Sequence, residues 1–185
     1  MHGVYVPHVF YLTPFKSGDI GGGINDSLSR LPPDAWVCIR DADTMFLTPQ
    51  QQKQIADIAG ADTQFDVIGC MTNRLRSPYQ THGGQLSDEP DIRVHLQIAE
   101  ELESRHWGEL VELPAPEVVA GMLMLFRVSL WQKIKFQQRS IYFDKQFCAA
   151  VRSAGGKLAI ARGVYLFHLY RFGKPNPCDY TAHLT

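Results

Sequence analysis

Residues 35–47, Ala-Trp-Val-Cys-Ile-Arg-Asp-Ala-Asp-Thr-Met-Phe-Leu, constrain the fold more than any other stretch of this chain. The apolar run 36–39 is the right length for a buried strand. It ends in two acids one residue apart, Asp41 and Asp43, with Arg40 between the run and the acids. Side chains alternate along a strand, so both carboxylates leave its end on one side and Ala42 on the other. Two carboxylates placed like this repel each other unless a cation joins them. A hard divalent ion with oxygen ligands, Mg2+ or Mn2+, meets that need, and such an ion can also hold a diphosphate. The plain alternative is a solvated turn after a strand, where Asp is common.

Short apolar runs and stretches of helical periodicity alternate along the rest of the chain. Residues 8–12 read as a first strand and 65–71 as a third. Residues 118–126 read as a central strand buried on both faces, and 157–161 and 164–168 as two short strands. A helix over 48–60 has Thr48, Pro49 and Gln51 as its start signals and reads as scaffold. A second over 91–106 turns Ile92, Leu96, Ala99 and Leu102 inward. Further helices begin at Ser129 and at Asp144, a natural N-cap; the last of these stops at Gly155-Gly156.

Other stretches carry candidate chemistry. Residues 16–25 read as a glycine-rich loop that opens into a helix with Ile24, Leu28 and Leu31 on one face. Such a loop can bring backbone N–H groups to a phosphate; it can equally be a flexible connector, and it matches neither GxGxxG nor GxxxxGK[ST]. The polar segment 72–90 is long enough to be functional or disordered. Its Arg74, Arg76, Tyr79 and His82 are candidates to touch an acceptor or a phosphate, or are ordinary surface side chains. Gly121 invites close approach by a ligand or relieves packing. His168 ends an apolar strand, where a lone histidine is usually a buried, hydrogen-bonded one.

With 185 residues, 45% of them apolar and 20% charged, the chain fits one domain with a full core. A net charge of −1 and the lack of a basic block argue against nucleic acid as the main partner. The four cysteines are scattered and form no CxxC pair, so neither a zinc site nor a disulfide framework is indicated. Cys38, Cys70 and Cys148 fall in apolar runs and read as reduced core residues, which suits a cytoplasmic location. The N-terminus does not read as a signal peptide, and no stretch has the length of a transmembrane helix.

The segment 37–46, Val-Cys-Ile-Arg-Asp-Ala-Asp-Thr-Met-Phe, resembles the DxD segment of nucleotide-sugar glycosyltransferases with the GT-A fold, and the family-2-like members in particular. Gly21-Gly22-Gly23-Ile24-Asn25 is similar to a segment that precedes their DxD strand. Residues 120–136, small residues and then an apolar strand ending in Arg127, are similar to a segment that lies beside the donor sugar. Asp144 falls where inverting members carry the general base, although their Glu-Asp pair appears here as Phe143-Asp144. His168, followed by Arg171 and Lys174, is similar to a late His and basic residue that join metal and diphosphate.

The resemblance covers the chain from about Gly21 to Lys174. It implies a single GT-A-like (Rossmann-like) α/β domain over residues 1–185, with a mixed, mostly parallel sheet. It implies transfer of a sugar from a nucleotide diphosphate sugar, a UDP-sugar being favoured, to an unknown acceptor hydroxyl. Asp41, Asp43 and His168 would be the metal ligands. Asp41, Gly22, Gly23, Asn25, Arg171 and Lys174 would bind the nucleotide, and Asp144 would be the base. The front of the chain departs from the pattern, because only a short loop separates Leu12 from Ile24 where these enzymes have a further βα unit. The nucleotide pocket is then abbreviated, or another chain, a copy of this one or a partner, completes it. Two alternatives stand beside this: a GT-A-like binding module without catalysis, and, more distantly, a haloacid-dehalogenase-type phosphatase, whose motif would need Thr or Val at position 45, where this chain has Met.

Overall fold

A computed structural model describes residues 8–75 and 77–169. Among these residues the elements are β1 (Val9–Leu12), α1 (Ile20–Leu28), β2 (Trp36–Arg40), β3 (Thr44–Phe46), α2 (Pro49–Gly60), β4 (Val67–Thr72), α3 (Ile92–His106), β5 (Leu110–Glu112), β6 (Leu123–Arg127), α4 (Val128–Lys133), α5 (Phe143–Ser153) and β7 (Leu158–His168). The strands form one mixed, open sheet in the order β1-β2-β6-β4-β7-β3, with β5 also paired to β7. β1, β2, β4 and β7 point one way; β6, in the middle of the sheet, and the short β3 and β5 point the other. The fold is therefore α/β, with helices against a mixed sheet in which the four same-way strands are the majority.

The continuous apolar run of β2 is explained by cover on both faces. Val37 and Ile39 join Val67, Met124, Phe126 and Ile160 in a core closed by Ile24 and Leu28 of α1, Trp131 of α4 and Phe147 and Val151 of α5. Trp36 and Cys38 face the other way, into a core with Ile55 and Ile58 of α2, Leu123, Leu125 and Leu166. Cys38, Cys70 and Cys148 are all buried thiols. The helix α3 lies along β7, where Ala99 and Leu102 pack on Tyr165.

Two expected strands, 157–161 and 164–168, are one strand, β7. The interruption at Arg162-Gly163 is a bulge: Cys70 pairs with Ala161, and the next residue, Met71, pairs with Tyr165. Two buried glutamines of α2 support this irregular stretch. Gln54 Nε2 donates to Gly163 O at 3.0 Å, and Gln51 donates to Tyr165 O. The outer edge of β7 then has room for β5 along its first half and β3 along its second. Both short strands escape a reading based on apolar runs because they are three residues long and half-exposed.

The central strand is also shorter than expected. Only Leu123–Arg127 enters the ladder; residues 118–120 instead meet the side chain of Gln80, which donates to Val118 O at 2.9 Å and accepts from Ala120 N at 3.1 Å. In α3, Ile92, Ala99 and Leu102 are buried as expected, whereas Leu96 is only half-buried and His95 is fully buried. No helix among the described residues is long and apolar enough to cross a membrane.

Candidate metal centre

The strand β2 delivers Asp41 and Asp43 to the sheet end, and β7 delivers His168 to meet them. After Arg40 the chain makes a tight turn, closed by Thr44 Oγ1 donating to Asp41 O at 2.6 Å and by Arg40 donating to Thr44 O at 2.6 Å. The turn hands the chain to β3, whose Thr44 stands opposite His168. Leu169 N then donates to Asp43 O at 2.9 Å. One ligand atom from each of Asp41, Asp43 and His168 lies within 4.8 Å of the others. Strand alternation thus predicts the meeting of the two acids, but the β2–β3 turn is what produces it.

Each member of the cluster is held from behind. Asp41 N donates to Met122 O at 3.1 Å. Asn73 grips the backbone of His168 on both sides: His168 N donates to Asn73 Oδ1 at 2.7 Å, and Asn73 Nδ2 donates to His168 O at 3.1 Å. The imidazole Nδ1 lies 3.1 Å from Arg74 O, an acceptor, so it carries the proton. In the neutral ring this leaves the lone pair on Nε2, which lies 3.5 Å from Asp43 Oδ2. A neutral ring presents that lone pair to the two carboxylates, whereas a doubly protonated ring donates from Nε2 to Asp43. Such a group of atoms comes together around a proton or a metal ion, and a backbone carbonyl that fixes the tautomer of a ligating imidazole is a common support of metal sites.

The electrostatics agree. Burial, followed by the charge of Asp43 and a further contribution from Asp144, pushes the Asp41 carboxyl up to about 6, against the opposing influence of His168. Asp43 is held below the ordinary carboxylate range, chiefly by its hydrogen bond with His168. The donor set, two carboxylates and one imidazole on a partly open face, fits a single divalent ion such as Mg2+ or Mn2+.

Asp144 stands beside the cluster. It lies in the first turn of α5 rather than capping it; Tyr142 holds the cap position. Its Oδ2 accepts from Gly121 N at 3.1 Å and its Oδ1 from Lys145 N at 2.7 Å. Gly121 adjoins Met122, which anchors Asp41. Asp144 also lines a cavity of about 390 Å³ with Leu75, Gln80, Glu117, Val118 and Lys145. The glycine at 121 serves packing: a Cβ there would lie 2.5 Å from the ring of Phe143.

Three residues expected to bind a nucleotide are used otherwise. The glycine-rich segment is not a loop; Gly21, Gly22 and Gly23 are buried inside α1. Its N-terminus is already capped by a carboxylate, with Gly22 N donating to Asp19 Oδ1 at 2.9 Å. A Cβ on Gly21 would lie 2.0 Å from Gln137 O, one on Gly22 2.1 Å from Asp19 Oδ2, and one on Gly23 3.0 Å from Lys16 Cβ, so these glycines permit close packing. Asn25 is committed to the same neighbours. Its Oδ1 accepts from Trp131 Nε1 at 2.8 Å and Phe136 N at 3.1 Å, and its Nδ2 donates to Phe136 O at 2.9 Å. Arg127 also lies away from the acids. It pairs with Trp36, whereas Arg40 pairs with Leu123, so Arg127 is at the opposite end of β2 from Asp41. Arg171 and Lys174 lie outside the described residues.

Among its described residues, the segment 72–90 contains a 3-10 turn at His82–Gly84; Arg76 lies outside the described residues. Arg74 is buried and binds Ser87 O at 2.9 Å and the Asp88 carboxylate, which pins the segment's two ends together. Sequence reasoning missed Asn73 and the Arg74 carbonyl as supports of His168. The available signal was a polar pair directly after an apolar strand. No protein-family model, no curated protein and no solved structure matches this chain.

Proposed function

We propose that the protein is a divalent-metal-dependent transferase acting on a nucleotide diphosphate sugar, with a GT-A-like arrangement of its sheet. One observation carries the reading: Asp41 and Asp43, after the end of the buried strand β2, converge on an imidazole whose Nδ1 faces Arg74 O. When bound, the ion supplies Lewis-acid neutralisation of the charge on a departing diphosphate. Asp41, Asp43 and His168 hold it. The lowered Asp43 is ionised throughout the neutral range, and Asp41 is ionised above about pH 6.

Asp144 supplies the second function. Its carboxylate is anchored by Gly121 N–H and lines the neighbouring cavity, where an acceptor hydroxyl would lie within reach of it. If the reaction inverts, it takes the acceptor's proton as the new glycosidic bond forms and the bond from the sugar to the diphosphate breaks. Gly22 and Gly23 are packed inside α1, which gives this reading no support from the glycine segment.

A thermal-shift panel of nucleotide sugars, with and without Mn2+, tests the reading, because a ligand that binds only the folded state raises its melting temperature. The expected result is a shift that needs both the ion and the diphosphate. Shifts that are the same with and without Mn2+ would remove the ion from donor binding. A Mn2+-dependent shift with donor but no turnover in Asp144→Asn and in wild type alike would identify a binding module instead.

A further inference from the structure

The buried stripe of α3 is Ile92, His95, Ala99 and Leu102, three or four residues apart as one helical face requires. His95 is its polar member and is fully buried, so both ring nitrogens need partners. Both have one. Nε2 lies 2.9 Å from Glu89 O, an acceptor, so Nε2 carries the proton. Nδ1 then accepts from the Tyr165 hydroxyl at 2.8 Å. The ring also packs on Phe167, with centroids 4.5 Å apart. Burial holds His95 below the ordinary imidazole range, against the influence of Glu89 and Asp91, so the neutral ring that makes both bonds is the form present at neutral pH.

The bond to Glu89 O reaches the metal centre through a short chain of contacts. Residues 88–90 are exposed, so bonds rather than burial hold this stretch in place. On one side it is tied to His95. On the other, Ser87 N donates to Asn73 O at 2.9 Å, and Arg74 donates to Ser87 O at 2.9 Å and to the Asp88 carboxylate. Asn73 and Arg74 are the residues that hold His168: the Asn73 amide grips its backbone, and the Arg74 carbonyl faces its Nδ1. Residues 87–89 are thus clamped between one buried imidazole and the support of another. An apolar side chain at position 95 would continue the stripe but leave Glu89 O without this donor.

We propose, on the reading of Asp41, Asp43 and His168 as metal ligands, that His95 is a positioning residue for the metal centre. By holding Glu89 O it keeps residues 87–89 against Asn73 and Arg74, and so keeps the His168 imidazole turned with Nε2 toward Asp43. The packing of the His95 ring on Phe167, the neighbour of His168 in β7, is a second route that needs no hydrogen bond. Two substitutions separate the routes. His95→Gln keeps an amide N–H able to donate to Glu89 O and gives up the ring. His95→Phe keeps a ring and gives up both bonds.

The test compares these variants of the full chain with wild type in three ways: melting temperature in chelator, calorimetric titration with Mn2+, and the ring-nitrogen NMR shifts of His168 in chelator, assigned with His168→Gln. His95→Phe is expected to weaken Mn2+ binding about tenfold, the low end of what outer-shell partners contribute, and to move the His168 shifts as its Nδ1–H loses the Arg74 carbonyl. His95→Gln is expected to bind Mn2+ within about threefold of wild type and to leave the His168 shifts in place, although its melting temperature falls at least as far as that of His95→Phe. Affinity that simply follows melting temperature across the variants shows a role in stability alone and overturns the proposal. So does a His168 ring undisturbed in His95→Phe. Weak binding in His95→Gln with wild-type binding in His95→Phe overturns it too, and assigns the effect to ring packing. No Mn2+ binding in wild type, with the His168 ring still disturbed in His95→Phe, sinks the metal reading and sustains His95 as the support of the imidazole.

Discussion

The two ends of β2 are chemical opposites. At its carboxyl end, Asp41 and Asp43 face the imidazole of His168 in a cluster that could hold a metal ion. At its amino end, the Trp36 indole N–H has no acceptor among the described residues and Arg127 stacks on the ring. Burial is nearly complete along the strand between them. The same strand therefore ends in a carboxylate–imidazole cluster on one side and an indole–guanidinium pair on the other. Core packing explains neither, since a core satisfied by apolar contacts would place no charged or unpaired polar group at either end. The contrast teaches that the useful signal is the polar group whose partner is missing, more than the depth of a groove.

The contrast is broken most sharply at Asp43. Asp43→Ala is expected to lower Mn2+ affinity by about 100-fold or more, since support residues alone are worth about 10–100-fold, with the melting temperature in chelator close to that of wild type. Calorimetric titration with Mn2+ and melting curves check this, and a loss of affinity together with a fall in melting temperature would show a general loss of structure instead.

The support behind the cluster comes next. Asn73→Ala leaves the buried N–H and C=O of His168 without their side-chain partner, which costs about 1–3 kcal/mol of stability. It is expected to reduce Mn2+ affinity about tenfold by freeing the ring to turn. Urea denaturation and calorimetry read the two effects. Unchanged affinity would mean that β3 pairing alone positions the imidazole.

Helix α1 offers a region outside both ends. Gly21→Ala forces a methyl against Gln137 O and is expected to cost about 1–3 kcal/mol, with metal affinity intact. A drop in nucleotide or Mn2+ affinity without a drop in stability would return the glycine segment to the site.

The smallest expected effect is a dependence on pH. Asp41 titrates at about 6 in the folded protein against 3.8 as its ordinary value. Between these values the folded state keeps a proton that the unfolded chain has lost, so metal-free stability falls as pH rises through that window. Asp41→Asn is expected to be more stable than wild type by about 1 kcal/mol at pH 7.5, with the difference shrinking toward pH 4. Melting curves at the two pH values check the sign. Mn2+ affinity of the wild type falls as pH drops through about 6, because the proton competes for the same carboxylate.

Much of this was legible from residue patterns. The run 36–39 and its two acids identify the buried strand and the cluster, because strand burial and paired charge are local properties of sequence. His168 is legible only as the polar end of an apolar run; its meeting with Asp43 depends on β3, three residues whose pairing across a long sequence separation leaves no local trace. The glycine segment misleads for a related reason. Glycine signals close approach, and the sequence does not say whether a phosphate or Gln137 O is what approaches. Asp144 was legible as a carboxylate at a helix start, but its bond to Gly121 N–H and its influence on Asp41 arise only from the packing of α5 against the β6 entry.

The most direct measurement is a crystal grown with manganese and examined for anomalous scattering. The account predicts a single strong peak between the carboxylates of Asp41 and Asp43 and Nε2 of His168, absent from Asp43→Ala crystals. Full manganese occupancy elsewhere, with the two carboxylates turned apart and the imidazole bound only to protein, would contradict it.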